Sequence, residues 1–271
     1  MEKVSVTSPD GVEIAVYEAG NPDGPEVLFL HGICQSHLAW QAQFADPSLT
    51  GQFRLIAIDL RGHGLSGKPT DKASYADARW ADDIAAVIAT KRLRRPVLVG
   101  WSYAGRVITD YLRVHGDSGI AGINFVAAMA KTDPATLGPK RAHLLNMVAE
   151  DLTENIAATR NFVRACFEVQ PSQDDFESIL ATNMLVPRDI RTFLLARTPN
   201  PGDILATLNV PVLATHGTKD GIILPNMSEF IVAQAKQATR SIYSGAGHTP
   251  FAEDAPRFNS ELAEFVTACV K

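Results

Sequence analysis

The stretch "LVGWSYAGRV", Leu98 to Val107, decides how the chain is read. An apolar run ends in Gly-Trp-Ser-Tyr-Ala-Gly, and a second apolar stretch follows. Locally this allows two structures. A buried strand could turn at once into a helix, forcing Ser102 into an unfavourable backbone conformation and requiring small neighbours two positions away, here Gly100 and Ala104. Alternatively, Ser102 could be an ordinary N-cap whose hydroxyl accepts a backbone N–H of the first helical turn. The ten residues do not choose between these.

The surroundings narrow the choice. Val4–Thr7 and Val12–Tyr17 alternate apolar and polar residues around "SPDG", a hairpin signature with Pro9, Asp10 and Gly11 in the turn. After it come "EVLFL" (Glu26–Leu30), "RLIAIDL" (Arg54–Leu60), "PVLVGW" (Pro96–Trp101), "INFVAAMA" (Ile123–Ala130) and "PVLATHG" (Pro211–Gly217). These runs are almost wholly apolar, as strands of a parallel sheet covered on both faces should be. Amphipathic stretches lie between them, clearest at Trp80–Lys91 and Ala104–Val114. "SEFIVAQAKQ" (Ser228–Gln237), "RSIYS" and a closing helix over "APRFNSELAEFVTACV" continue the alternation. Strand, helix, strand in succession predicts an α/β fold with a mostly parallel central sheet flanked by helices.

Residues 131–205 break that rhythm. They read as helices with no convincing strand: one over residues 132–167, then "QDDFESILATNML" and "PRDIRTFLLAR". The expectation is a core of residues 1–130 and 206–271 interrupted by a helical cap at 131–205 that sits over one edge of the sheet.

Composition excludes several classes. The 271 residues are 46% hydrophobic and 20% charged with a net charge of -5, ordinary for a globular protein and without the basic footprint of a nucleic-acid binder. Cys34, Cys166 and Cys269 are too few and too scattered for a disulfide framework or a CxxC metal site, so reduced thiols and a cytoplasmic location are expected. No apolar stretch approaches the roughly 20 residues that span a bilayer. No ligand cluster of the HExxH kind is present, so neither a metal nor an organic cofactor is implied.

A nucleophilic serine needs a base. His248, in "YSGAGHTPFAEDAPRFN", lies in a Gly-rich loop between the last strand and the closing helix, on the loop side of the sheet where Ser102 would also be. Asp220, in "ATHGTKDGIILP", follows the strand ending at Gly217 and could orient that imidazole. It could equally make an Asx-turn before Gly221. The order Ser102, Asp220, His248 is the order that accompanies such an elbow. An oxyanion would need backbone donors, and the candidates are the N–H of Ile33, in the loop "HGICQSHLAW", and the N–H of Tyr103. His31 reads as a structural residue behind that loop.

Taken together, "LHGI", "DLRGHGLS", "VGWSYAG", "HGTKD" and "GAGHTPF" resemble the α/β-hydrolase superfamily, over almost the whole chain except the cap. The resemblance implies Ser102 as nucleophile, Asp220 as acid and His248 as base, and it argues against His63 of "DLRGHGLS" in that last role. It implies a two-step serine hydrolase acting through an acyl-enzyme on a small or medium carboxylic ester or lactone. Carbon–carbon bond hydrolysis and cofactor-free perhydrolysis share the same triad, and a ligand receptor that turns over little shares the fold. Haloalkane dehalogenases and most epoxide hydrolases use an Asp nucleophile, and the latter add cap tyrosines; here the nucleophile is Ser, and residues 131–205 contain no Tyr. A small-molecule substrate with an apolar acyl group is expected. Leu144, Leu145, Met147, Val148, Phe162, Phe167, Met184 and Phe193 are the pool from which its pocket would be drawn.

Overall fold

The computed structural model describes residues 2–198 and 200–271. The N-terminal hairpin pairs β1 (Glu2–Thr7) with β2 (Glu13–Gly20), Val6 opposite Ile14. Its turn closes on Gly11 at φ +86°, a backbone state that costs glycine little. The hairpin extends a sheet built from β3 (Glu26–Leu30), β4 (Arg54–Ile58), β5 (Val97–Trp101), β6 (Gly122–Val126), β7 (Val212–Gly217) and β8 (Ala238–Tyr243). The strand order is β1-β2-β4-β3-β5-β6-β7-β8; β1 and β2 run antiparallel to their neighbours and the rest are parallel.

The apolar runs divide as a period of two dictates. Leu28, Leu30, Ile56, Ile58 and Leu98 face one core, while Val27, Phe29, Leu55, Ala57, Val97 and Val99 face the other. The first core is closed by α3 (Asp77–Thr90) and α4 (Ala104–His115), which follow α1 (Gln41–Phe44) and α2 (Pro47–Gln52) in the chain. Trp80, Ile84 and Val87 of α3 and Val107, Ile108 and Leu112 of α4 lie in it, each large side chain contributing roughly 1.5–3 kcal/mol by leaving water.

Between β6 and β7 run α5 (Ala142–Asn146), α6 (Leu152–Ala165), α7 (Gln173–Met184) and α8 (Arg188–Leu195). After β7 come α9 (Asn226–Gln234), α10 (Pro250–Glu253) and α11 (Ala255–Cys269), whose Phe258, Leu262 and Val266 close the second core.

Several boundaries differ from the sequence reading. The strand expected over Ile123–Ala130 stops at Val126, because Ala127 takes a left-handed conformation at φ +43° and the chain turns away. The strand expected to reach Leu60 stops at Ile58. Asp59 there leaves the sheet to organise the following loop, accepting from the N–H groups of His37 and Leu65. The helix expected over 132–167 is broken into tight turns at Pro134–Thr136 and Pro139–Arg141, then α5, then α6. Proline supplies no N–H to continue a helix, and the side chain of Asp151 caps α6 afresh by accepting from the Glu154 N–H at 2.9 Å. The stretch Ser228–Gln237 begins its helix two residues earlier, at Asn226, and ends it at Gln234 so that Ala235 can lead into β8.

The sheet positions a crevice. From β3 the chain crosses to β4 on one side and then returns to β5 on the other, so the loops leaving β3 and β5 part at the carboxyl ends of adjacent strands. Leu30 pairs with Gly100. The residues just past each, 31–33 and 101–103, therefore emerge side by side.

Candidate active site

At the end of β5 the backbone reverses within one residue. Ser102 sits at φ +55°, in the left-handed region that a β-substituted side chain avoids. Three backbone hydrogen bonds hold it there: its N–H to Val126 O at 3.0 Å, and its carbonyl accepting from Gly105 N at 3.0 Å and Met129 N at 2.9 Å. A Cβ on Gly100 would lie 2.4 Å from Ile108 Cδ1 and 3.3 Å from Ala104 Cβ, so the missing side chain at 100 makes room for the methyl at 104. Gly105 carries the other close approach: a Cβ there would meet Ala128 Cβ at 2.8 Å and Met129 N at 2.9 Å.

The N-cap alternative for Ser102 does not hold. The helix is capped at Tyr103 with no side-chain hydrogen bond. The Ser102 hydroxyl instead lies 2.8 Å from His248 Nε2, and His248 Nδ1 lies 2.7 Å from Asp220 Oδ2. With Nδ1–H donating to the carboxylate, Nε2 is left to accept from the serine O–H. Ser102, Asp220 and His248 are all buried.

The two carboxylate oxygens of Asp220 make different contacts. Oδ1 makes the Asx-turn, accepting from Ile222 N at 2.8 Å and Ile223 N at 3.1 Å, while Oδ2 faces His248. Oδ2 has a second neighbour that the sequence reading missed, His216 Nε2 at 3.0 Å, which also reaches Ile223 O at 2.9 Å. Burial works to raise the Asp220 carboxyl, but the charge of His248 and then the hydrogen bonds from the two imidazoles outweigh it and hold the group well below the usual carboxylate range.

Glycines let the loops meet. A Cβ on Gly217, at the end of β7, would fall 2.1 Å from Gly247 O, so the loops bearing Asp220 and His248 can touch only because that side chain is absent. Trp101, unassigned by sequence, packs where three loops converge. Its Nε1–H donates to His248 O at 2.8 Å, its ring lies 5.1 Å from that of Phe251, and a Cβ on Gly32 would be 3.0 Å from its Cε3. The His248 N–H in turn donates to Cys166 O at 2.9 Å, just past α6.

A cavity of about 80 Å3 opens on Ser102, bounded by Ile33, Tyr103, Leu144, Phe162, Leu194 and Ile222 among others. Among the described residues, neither the Ile33 N–H nor the Tyr103 N–H is taken by a backbone acceptor. Of the eight cap side chains named from sequence, Leu144 and Phe162 line this cavity, whereas Met147 is fully buried and Leu145 is exposed. A larger groove of about 540 Å3 lies beyond Trp101, between Leu38, Phe167 and Ile179, and does not include Ser102.

Cys34 also takes a positive φ, +59°, beside Ile33, but burial pushes its thiol up to about 11, far from thiolate chemistry near neutrality. His31 binds inward: Nδ1–H donates to Gly32 O at 2.8 Å and Nε2 accepts from Leu60 N at 3.0 Å. His63 lies against it, ring centres 5.0 Å apart, with its Nδ1–H donating to Arg61 O at 2.9 Å rather than bonding Ser102. No helix among the described residues is long and apolar enough to cross a membrane.

Comparison with known proteins agrees with this architecture. A structure of a Burkholderia cenocepacia protein assigned as an aryl esterase superposes with a TM-score of 0.95 at 38% identity, covering 99% of each chain. A Rhodococcus sp. ECU1013 esterase superposes with a TM-score of 0.92 at 31% identity, over 99% of this chain and 100% of its own. The Mycobacterium tuberculosis protein named "Probable oxidoreductase EphD" is 40% identical over 146 residues, 53% of this chain; the match spans only 22% of that relative's length. The turn at Ser102, the carboxylate after β7 and the imidazole before the last helix all fall within residues 25–255, the stretch that matches the alpha/beta hydrolase fold family, and the chain belongs to that family.

Proposed function

We propose that the protein is a carboxylic ester hydrolase whose nucleophile is Ser102, with His248 as general base and acid and Asp220 as the carboxylate that orients it. The observation that carries this reading is the Ser102 hydroxyl 2.8 Å from His248 Nε2, at a left-handed turn that opens on a cavity. The esterase relatives of full-length coverage support it. Residues 131–205 act as a cap, a division supported by Leu144, Phe162 and Leu194 closing the cavity over Ser102.

The chemistry follows from the distances. His248 Nε2 takes the hydroxyl proton as Ser102 Oγ attacks the ester carbonyl, and Asp220 stabilises the imidazolium that forms. The carbonyl oxygen becomes an oxyanion, stabilised by the N–H groups of Ile33 and Tyr103; such donors lower a barrier by about 3–4 kcal/mol each. The imidazolium then gives its proton to the departing alcohol. Water, deprotonated by the same imidazole, attacks the acyl-enzyme and releases the acid and the free serine.

The test is direct. Purified protein should hydrolyse a short-chain nitrophenyl ester and label with a fluorophosphonate probe, and Ser102→Ala should lose both. Labelling that persists in the alanine variant moves the nucleophile elsewhere. A substrate panel with a diketone, and with peroxide plus bromide, separates ester hydrolysis from carbon–carbon cleavage and perhydrolysis.

A further inference from the structure

The cavity at Ser102 is lined by Arg106, Arg141 and Arg197 and by no carboxylate. Arg197 is fully engaged: it pairs with Asp77 at 2.7 Å and with Asp110, and donates to the Tyr103 hydroxyl at 3.0 Å. Arg106 is not. Its side chain is only 5% exposed, and its closest carboxylate is Asp77 at 3.6 Å, which Arg197 holds more tightly. Its Nη2 donates to Thr198 O, but its Nε is buried with no acceptor among the described residues. Burial first, and repulsion from Arg197 second, disfavour its charge. Arg141, half-buried, has no ion pair among the described residues.

Three guanidinium groups thus face two carboxylates, and both carboxylates lie outside the cavity wall. Burying a guanidinium whose donors are not all satisfied is costly to the fold. The Arg106 Nε has no exposed surface and is not itself the contact, but a ligand oxygen that reaches Arg106 from the cavity offsets part of that cost. Arg106 is well placed to meet one. It lies one helical turn after Ser102, and helical side chains lean toward the N-terminus, here toward Ser102. Apart from Ser102, Tyr103 and Thr132 the remaining wall is apolar, with Ile33, Leu137, Leu144, Phe162 and Leu194, and suits methylene groups. At about 80 Å3 the space holds on the order of five to eight water-sized groups, the size of a succinyl or glutaryl unit.

We infer that the cavity takes a short acyl chain ending in a carboxylate, held by Arg106 and Arg141, so that the preferred substrates are monoesters of small dicarboxylic acids. This rests on the serine-esterase reading above. Guanidinium groups suit the role because they bind carboxylates through paired, charge-assisted hydrogen bonds. It also sharpens the apolar acyl group expected from sequence: the chain is apolar and its end is anionic.

The experiment compares kcat/KM for monomethyl glutarate and methyl valerate, esters of equal acyl length that differ in the terminal charge. The wild-type protein should prefer the glutarate by about tenfold or more, and raising the salt concentration should narrow the gap. Arg141→Gln, at the less buried position, should cut the ratio several-fold; Arg106→Met should cut it further, with fluorophosphonate labelling of Ser102 checking that the variant is folded. Equal or better turnover of methyl valerate by the wild type, or a ratio unchanged in Arg141→Gln, overturns the carboxylate subsite. If the labelled enzyme turns over methyl valerate without preference, the subsite fails and the esterase reading stands. If neither ester is cleaved and Ser102 does not label, the esterase reading fails and the subsite with it.

Discussion

Asp220 accepts from four groups, two backbone N–H donors on Oδ1 and two imidazoles on Oδ2. An amide cannot replace that, because half of it is a donor pointed at donors. Asp220→Asn should therefore lower kcat by about 10^3–10^4 with KM little changed, through loss of the His248 tautomer and orientation. Steady-state kinetics on a nitrophenyl ester measure this, and an Asn variant within tenfold of wild type would refute the role. The residues that sequence could reach share one property: Ser102, Asp220 and His248 each lie in a loop just past a strand, where turn chemistry marks the position. Trp101, His216 and Arg106 carry no such mark. Trp101 donates to a carbonyl 147 positions along the chain, and the orphaned Nε of Arg106 depends on which neighbours Arg197 has already taken. Such facts exist only once the loops have converged.

Among the elements, β3 to β7 were readable because both their faces are buried, so each run is mostly apolar, whereas the more exposed β1 and β2 were readable from their alternation. Of the helices between β6 and β7, α7 and α8 were readable as separate helices, whereas residues 132–167 read as one, since Pro134, Pro139 and the Asp151 cap divide that stretch without changing its general polarity. What joins them is Arg191, 2% exposed on α8. It donates to Val186 O, Met147 O and Asn183 O and to the side chains of Asn155 and Thr159, tying α6, α7 and α8 together. No carboxylate is paired with it among the described residues; carbonyl and side-chain oxygens take its donors instead. Arg191→Met keeps the stem but strands those acceptors, so the expected loss is about 3 kcal/mol, a Tm lower by about 6–12 °C. Thermal unfolding followed by circular dichroism reads it. A change under 2 °C would mean that packing alone holds these helices. The cavity should suffer as well, since α6 and α8 supply Phe162, Leu194 and Leu195 to its wall.

For the molecule as a whole, the loops at the carboxyl ends of β3 and β4 are locked by two imidazoles that the fold keeps neutral. His31 and His63 are fully buried. Burial lowers His31 to about 4, against the pull of Asp59; burial and then the neighbouring His31 lower His63 to about 3. Both surroundings favour a neutral ring: His31 Nε2 accepts the Leu60 N–H, and a proton on buried His63 Nε2 would find no acceptor among the described residues. The sign follows from where the protons go. In the unfolded chain these imidazoles protonate near pH 6.5, whereas in the folded chain they resist until about 4 and about 3. Their stabilisation is therefore fully present above that unfolded value and is lost as pH falls from 6.5 toward 4 and 3. Asp59 and Asp220 add a second window. Burial tends to raise both, but hydrogen bonds and neighbouring imidazoles hold them below the ordinary carboxylate range, so their contribution persists down to about pH 4 and is lost beneath it. Urea unfolding at pH 7, 6 and 5 should show each of these histidines withdrawing about 2 kcal/mol across that range, before Asp59 and Asp220 begin to titrate. Asp110, whose carboxyl burial raises to about 6, gains a proton in the folded chain over the same range and offsets part of the loss. His63→Gln, which keeps a donor for the Arg61 carbonyl but cannot take up a proton, should remove about half of that slope. A wild-type protein equally stable at pH 7 and pH 5 would show that the loops open far enough for water to reach these rings, and that the neutral lock on the β3 and β4 loops does not operate.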